Sequence, residues 1–345
     1  MGVNAVDLAS GEKIAIKAGA TIMCAGVWSD QLHARFDLTP GYNVTMSKGA
    51  HIVVPGSAIK SDAGIIVKTP VSVLFLIPWG DKWIVGTTDT PYEGDRAEPC
   101  ATKEDVQYIL DQANRVLEPK LRAEDIIGVY AGLRPLVANN KSATTTKLSR
   151  EHTVDRPTAG FVSIAGGKYT TYRVMAKDVV DRAVIELRRL TQESVTEKLP
   201  LVGADGYFAL EQQKERIAKD SGLDVAIVAH LLNRHGSLIS EILDLLKSQP
   251  KLATKLDEEL PYIKAEIVYA ASHEGARSVD DVISRRTRLS FEAVNHGVHL
   301  ADEIATLIAP VLGWNAKERK ESVTQYTELV EREIAALGEL LEVNS

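Results

Sequence analysis

Cysteine is scarce in this sequence of 345 residues, which contains only Cys24 and Cys100. Two isolated cysteines cannot form a disulfide framework or a zinc site, so we expect a reducing compartment and no metal centre. Long apolar runs are missing too, because the longest, residues 71–79, is far shorter than the roughly 20 residues of a membrane-spanning helix. No charged and then apolar segment of the signal-peptide type opens the chain. The sequence therefore predicts a protein that is soluble, or at most peripheral to a membrane.

An excess of basic residues is also absent. The formal net charge is −7, whereas nucleic-acid-binding proteins usually concentrate positive charge on one face, so no nucleic-acid partner is expected. Hydrophobic residues make up 45% of the chain and charged residues 25%, which is ordinary for a globular protein. The length suggests one large domain or two medium-sized ones.

Up to about residue 170 the apolar runs are short, rich in Val and Ile, and separated by Gly and Pro, which is typical of strands. The run 20–25 has the composition of a buried strand. The turn pair Gly80-Asp81 predicts a hairpin that pairs Leu74–Pro78 with Lys82–Gly86.

Helical periodicity marks residues 103–118 and then the segment from Thr170 to about Leu190. Beyond about residue 205 nearly every segment has a helical pattern. We therefore predict a mixed α/β domain over 1–195, an all-helical domain over 205–345, and a boundary near residue 200.

The first stretch suited to chemistry is an apolar strand that leads into Gly26, Trp28 and a helix start. Glycine at such a turn lets the backbone approach a ligand closely. The same arrangement also occurs in α/β proteins as a purely structural turn.

The second stretch is Gly86-Thr-Thr-Asp-Thr90, where small polar residues follow an apolar strand. Its hydroxyls and carboxylate could face a ligand. The alternative is a turn whose polar groups satisfy one another.

The third is a basic series in which Arg134, Arg150 and Lys168 each lie beside Gly, Pro or a strand end. Glycines at a helix N-terminus, as in Gly166-Gly167, expose backbone N–H groups to an anion, and arginine forks suit phosphate or carboxylate. Solvated surface charges are the alternative. The spacing around Lys168 does not match the phosphate loop of nucleotide triphosphatases.

These blocks, in this order and at this spacing, resemble the FAD-dependent glycerol-3-phosphate dehydrogenases of the respiratory type. The segment Tyr262–Arg288 extends the similarity into the helical part. The resemblance rests on Ser47-Lys-Gly49-Ala-His51, Ile77-Pro-Trp79, Gly86-Thr-Thr-Asp89, Gly132-Leu-Arg134-Pro135, Arg150-Glu-His152 and Gly166-Gly-Lys168-Tyr-Thr-Thr-Tyr-Arg173.

The resemblance implies an α/β fold, namely a partial FAD/NAD(P)-binding fold of the glutathione-reductase type with an antiparallel substrate sheet, followed by an all-α C-terminal domain. The family's N-terminal βαβ unit carries Gly-x-Gly-x-x-Gly, and no such motif occurs here. We therefore expect a chain that corresponds to the C-terminal part of the family and that is colourless and inactive by itself.

The implied reaction is oxidation of sn-glycerol 3-phosphate to dihydroxyacetone phosphate, with hydride passing to N5 of FAD and electrons on to a quinone. By resemblance, Arg134 and Arg150 bind the substrate phosphate and Lys168 acts in both binding and catalysis. His51 is the candidate general base, with a hydrogen-bonded core or rim histidine as the alternative. We expect Arg134, Arg150 and Lys168 to converge beside Gly167.

The FAD contacts implied by the resemblance are Gly26, Trp28, Gly166, Gly167 and Thr170. A cytoplasmic location, with the inner face of the cell membrane as the variant, and a homodimer are further implications. Two alternatives stay open: a glycerophosphate oxidase that passes electrons to oxygen, and a non-catalytic fragment that cannot hold FAD.

Overall fold

The computed structural model describes residues 2–8, 10–70, 72–138, 151–187 and 191–338. The strands are β1 (Gly2–Val6), β2 (Lys13–Lys17), β3 (Thr21–Met23), β4 (Asn43–Pro55), β5 (Ile65–Lys68), β6 (Val73–Trp79), β7 (Lys82–Gly86), β8 (Thr90–Pro91), β9 (Gly128–Ala138), β10 (His152–Thr158) and β11 (Phe161–Gly166). The helices are α1 (Ser29–Arg35), α2 (Lys103–Ala113), α3 (Tyr172–Leu187), α4 (Tyr207–Glu211), α5 (Lys214–Ser221), α6 (Val225–His235), α7 (Ile239–Ser248), α8 (Lys264–Ser272), α9 (Leu289–Glu292), α10 (Ala301–Leu312) and α11 (Ala316–Leu337).

An antiparallel sheet forms the centre of the first half, with strand order β5-β6-β7-β4-β8 and with β9 also paired to β4. The predicted hairpin is confirmed, because β6 and β7 pair around the turn at Gly80 with Ile77 opposite Ile84. Successive side chains point to opposite faces of a strand. One face is therefore buried against α2, and the other carries the polar residues of β4 and β9.

Helix α2 covers the buried face with Val106, Ile109 and Ala113, which pack on Ile52 and Leu76. It begins at a capping box, in which Thr102 and Asp105 satisfy each other's backbone N–H groups. The helix ends at Ala113 rather than near residue 118.

The early end of α2 has a local cause. The Asn114 amide donates to the carbonyl of Leu121 and accepts from its backbone N–H, both at 2.8 Å. These bonds hold the chain in a loop that replaces the last expected helical turn.

A second, three-stranded sheet has the order β10-β11-β3, in which β3 runs parallel to β11 and β10 antiparallel to it. Helix α3 packs on it through Val179 and Ala183. The expectation that the run 20–25 is buried is wrong in detail, because Met23 is buried while Ile22 is 39% exposed and Cys24 is exposed. Within the described residues β3 pairs with β11 alone, so its other side has no neighbouring strand.

From α4 onward the described chain is helical, and its core lies between α8, α10 and α11. The far end of α11 returns to the antiparallel sheet, where Leu337 joins the cluster under α2. The division into domains at about residue 200 stays a prediction. None of the described helices is long and apolar enough to cross a membrane.

Helix α8 carries a buried carboxylate, Glu266, which is 2% exposed. It accepts hydrogen bonds from His230 at 2.9 Å and His235 at 3.4 Å, and from the backbone N–H of Ile263 at 3.0 Å. Burial alone would raise the pKa of Glu266, but these hydrogen bonds outweigh it and lower the pKa to about 2. The carboxylate stays charged and ties α6 to α8.

Candidate functional site

The side of the antiparallel sheet opposite α2 is called the open face. Arg134 and His51 both lie on it. Strands β4 and β9 pair so that Ser47 lies opposite Arg134, Gly49 opposite Gly132 and His51 opposite Tyr130. Directly opposite residues share a face of the sheet. The pairing therefore places two sequence-predicted residues on one surface.

The guanidinium of Arg134 is held in a defined position on the open face. It donates to Thr87 Oγ1 at 2.9 Å and to the carbonyl of Thr88 at 3.2 Å, and lies 3.7 Å from a carboxylate oxygen of Asp89. Ser47 donates to that same Asp89 oxygen. Because the Asp89 side chain is only 10% exposed, its charge is poorly screened and its pull on Arg134 is strong.

Glycine at position 49 makes this placement possible. A Cβ atom built at Gly49 would overlap the guanidinium carbon and nitrogens of Arg134. The arginine side chain therefore folds across β4 toward His51. The residues of a strand rise about 3.3 Å each, so Gly49 and His51 are about 6.6 Å apart along β4.

The His51 side chain is half-buried, with the ring of Tyr130 on one side and Gly86 on the other. Its imidazole stacks on Tyr130 with 4.9 Å between ring centroids and 10° between planes. A Cβ at Gly86 would collide with the same imidazole. Burial, and then the positive charge of Arg134, lower the pKa of His51 to about 4. The ring is neutral at pH 7 and can accept a proton.

A gap lies between the His51–Tyr130 pair and Arg134. Gly132 occupies it, is exposed, and has no other atom within 4 Å of where its Cβ would be. A small ligand over Gly132 can touch the guanidinium on one side and the imidazole on the other. An anion joined to a group that loses a proton suits these two partners.

The residues predicted to contact a cofactor lie around the other sheet. Because β3 and β11 are parallel, Gly26 and Gly166-Gly167 leave the carboxyl ends of adjacent strands at one edge, where α/β proteins bind ligands. Gly26, Gly166 and Gly167 have φ of 53°, 78° and 84°, a region that favours glycine. The two glycine turns therefore lie at one edge, as a shared ligand site requires.

This edge fits a flavin in the chemistry of its residues. A Cβ at Gly26 would meet no atom within 4 Å, so the backbone there faces open space. The indole of Trp28 is 43% exposed and Thr170 is exposed, which leaves a flat apolar surface and a hydroxyl for a bound ring system. These three residues, with Gly166 and Gly167, are those that would hold FAD.

Lys168 follows Gly167 as an exposed residue, just before α3. Its convergence with Arg134 stays a prediction. Arg150 lies outside the described residues. The two sheets do meet nearby, because Val137 of β9 packs with Ala165 of β11.

Sequence reasoning assigned no role to three residues that support Arg134 and His51, although two of them lie within the motifs of the resemblance. These are Gly49 beneath the guanidinium, Tyr130 against the imidazole, and Gly132 in the gap. Only the register of β4 against β9 identifies them, because nothing in the local sequence marks them as neighbours.

Two protein-family models match the chain. Residues 2–182 match the FAD dependent oxidoreductase family, and residues 194–319 match the C-terminal domain of alpha-glycerophosphate oxidase. The open face and the glycine edge both lie within the first match. The parallel and antiparallel sheets followed by a helical part agree with the fold class expected from the sequence.

Several curated relatives are glycerol-3-phosphate dehydrogenases. Glycerol-3-phosphate dehydrogenase 2 of Mycobacterium tuberculosis is 47% identical over 334 residues, which cover 97% of this chain and 57% of the relative. The mitochondrial enzyme of Homo sapiens is 31% identical over 330 residues, which cover 93% of this chain and 45% of that protein. The chain thus spans about half the length of these relatives.

A solved structure agrees with these matches. The glycerol-3-phosphate dehydrogenase of Bacillus halodurans complexed with FAD superimposes with a TM-score of 0.81 at 26% identity, over 96% of this chain and 65% of that one. Together with the family models, this assigns FAD as the cofactor of the family. The chain belongs to the FAD-dependent oxidoreductase family.

Proposed function

We propose that this protein takes part in the FAD-dependent oxidation of sn-glycerol 3-phosphate to dihydroxyacetone phosphate. The observation that carries the proposal is the placement of Arg134 and His51 on one open face, with the glycine gap between them. The substrate has a phosphate and a secondary hydroxyl close together, which matches one cationic and one basic partner. The names of the relatives support the same substrate.

Arg134 binds the substrate phosphate in this proposal. Its contacts with Thr87, Thr88 and Asp89 fix the guanidinium before substrate arrives, so little side-chain entropy is lost on binding. Arg150 and Lys168 are proposed to add further positive charge. A phosphate dianion held by three cations is favoured over uncharged glycerol.

His51 accepts the proton of the C2 hydroxyl on Nε2, because its other ring nitrogen, Nδ1, is buried. FAD, when bound, supplies the acceptor for the hydride that leaves C2. The pKa of about 4 in the absence of substrate would make a weak base. Pairing of the phosphate with Arg134 cancels part of the positive charge that lowers this pKa, so substrate binding itself makes His51 more basic.

We propose a quinone as the electron acceptor, and a location in the cytoplasm or on the inner face of the cell membrane. Oxygen is the second candidate, because the helical part matches a family model described from alpha-glycerophosphate oxidase. The yield of hydrogen peroxide per substrate oxidised separates the two. A stoichiometric yield would assign oxygen, and a negligible yield would assign a quinone.

The proposal is tested with the intact, FAD-loaded protein under anaerobic conditions, by following reduction of the flavin absorbance. We expect sn-glycerol 3-phosphate to reduce the flavin, and glycerol to do so at least about a hundredfold less efficiently because it lacks the phosphate. His51→Gln should slow reduction at saturating substrate by about a hundredfold. Equal reduction by both substrates would remove the assignment.

A further inference from the structure

Three aromatic rings connect the helical part to the open face. Phe291, in α9, lies against Tyr130 with 5.3 Å between ring centroids and 39° between planes. Tyr130 then stacks on His51 at 4.9 Å. The ring stack, defined as Phe291, Tyr130 and His51, thus joins α9, β9 and β4.

We propose that Phe291 is a positioning residue for His51, acting through Tyr130, so that the helical part sets the orientation of the imidazole. The proposal rests on the proposed function only in taking His51 as the base. No residue of the helical part is otherwise assigned to the reaction.

The hydrogen bonds of His51 give the first argument. A catalytic histidine is ordinarily oriented by a hydrogen bond that its second ring nitrogen donates to a carboxylate or a backbone carbonyl. Nδ1 of His51 is buried, and no described residue bonds to it. The orientation of the ring must then come from packing against its two flat sides.

Packing on those two sides is unequal. Gly86 lies on one side and offers only backbone, while Tyr130 covers the other with a full ring at an angle of 10°. Stacked aromatic pairs contribute about 0.5–1.5 kcal/mol beyond the burial of their area. Tyr130 is therefore the main lateral support of the imidazole, and what holds Tyr130 also holds His51.

Phe291 is held tightly against β9. The backbone of Phe291 lies so close to Gly128 that an added Cβ there would overlap its carbonyl oxygen at 2.5 Å. Three residues before Phe291, the guanidinium of Arg288 lies 4.5 Å from the centre of the Trp79 ring. Directly after Phe291, Glu292 accepts a hydrogen bond from Tyr262 at 2.8 Å. The Arg288 contact thus ties one flank of α9 to the sheet, and the Glu292 contact ties the other flank to the rest of the helical part.

Among the residues that the structure describes, few charges bear on the imidazole. From β9 it faces Arg134, whose charge lowers its pKa, and Asp89 beyond β7 partly balances that arginine. From β7 it faces Gly86, and from α9 it is reached only through Phe291 and Tyr130. A change at Phe291 therefore alters burial and orientation of His51 without altering a nearby charge.

The test measures the titration of the His51 ring by NMR in the FAD-loaded protein, with His51→Gln used to assign the resonance. In Phe291→Ala we expect the pKa of His51 to rise from about 4 toward 6.5, because the ring becomes more hydrated. We also expect kcat to fall about tenfold with KM unchanged, because Arg134 is not disturbed. Phe291→Tyr keeps the ring and should restore both values.

Two further variants separate positioning from stability. Gly128→Ala pushes the backbone of Phe291 away and should reproduce the effect of Phe291→Ala, while Gly64→Ala, whose Cβ meets only ordinary contacts beyond 3.4 Å, should change neither value. If Phe291→Ala unfolds, Phe291→Leu removes the ring while filling the site. The proposal is overturned if these variants lower the melting temperature but leave the His51 titration and kcat as they were.

The proposed function fails in a different way. If His51→Gln oxidises the substrate as fast as the unchanged protein, His51 is not the base. The NMR titration still reports whether Phe291 orients the ring, because it does not depend on turnover.

Discussion

Arg134 lies across the backbone of Gly49, so that any side chain at position 49 would occupy the space of the guanidinium. The two residues come from neighbouring strands, β9 and β4. The glycine lets the arginine turn toward His51 instead of standing upright from the sheet. The position of the guanidinium on the open face depends on this contact.

Gly49→Ala should displace the guanidinium and weaken substrate binding. We expect KM for sn-glycerol 3-phosphate to rise about tenfold, with a smaller change in kcat, because the proton acceptor is left in place. Steady-state kinetics with an artificial electron acceptor measure both values. Gly64→Ala is the matched control, and equal KM values in the two variants would contradict the prediction.

Arg134→Ala should remove a charge-assisted contact worth about 1.5–3 kcal/mol, which corresponds to a roughly ten- to hundredfold loss in kcat/KM. FAD content, measured from the flavin absorbance, should stay the same because Arg134 lies on the open face rather than at the glycine edge. Arg122→Ala, at an exposed arginine, serves as control. A colourless Arg134→Ala protein would place the residue in the flavin site instead.

Lys168→Ala should lower turnover more than FAD content. The residue is exposed beside Gly167, where a mobile ammonium can reach a bound substrate without supporting the fold. Lys177→Ala, nine residues further along the chain and within α3, provides a comparison at an ammonium paired with Asp181. Loss of flavin with unchanged turnover per bound flavin would show that Lys168 binds cofactor.

The pH dependence of kcat/KM should reveal the pKa of His51. Activity is expected to be constant above about pH 5 and to fall as the pH drops through about 4, where the imidazole becomes protonated. In Arg134→Gln the fall should begin at higher pH, because a positive charge that lowers the pKa is gone. His299→Gln, which changes a histidine of the helical part, should leave the pH profile of kcat/KM unchanged.

The free energy of unfolding should depend on pH through the same histidine, His51. The pKa of His51 in the folded protein, about 4, is below its usual value of 6.5. Its contribution to the free energy of unfolding is therefore complete above pH 6.5 and is lost as the pH falls toward 4. Denaturant titrations of the protein and of His51→Gln at several pH values measure this difference.

Glu266→Ala should destabilise the helical part by about 3–5 kcal/mol, because it leaves the buried His235 and the half-buried His230 without their common acceptor. The folded-state pKa of about 2 lies below the usual 4.5, so the contribution is present above pH 4.5 and is lost as the pH falls through 2. Urea unfolding measures the loss. Glu258→Ala, at an exposed carboxylate, should change the free energy by less than about 0.5 kcal/mol.

The sequence by itself determined several of the strands and most of the helical segments, but not β9 or β10. The hairpin at Gly80 and the helix that begins after Thr102 follow from turn chemistry and capping, which act over a few residues. It also determined the family, because the motifs around His51, Arg134 and Lys168, in their order, can be recognised without a structure. The end of α2 could not be predicted, because it depends on a hydrogen bond from the Asn114 side chain to Leu121, which lies beyond the helix.

Only the tertiary structure decided which of these residues meet. A strand that slips by one residue turns every side chain to the other face, so the register of β4 against β9 alone puts Arg134 and His51 on one surface. The contact of Phe291 with Tyr130 likewise depends on how the helical part packs on the sheet, where Gly128 allows two backbones to touch. Such contacts join residues far apart in the chain, and local sequence preferences do not encode them.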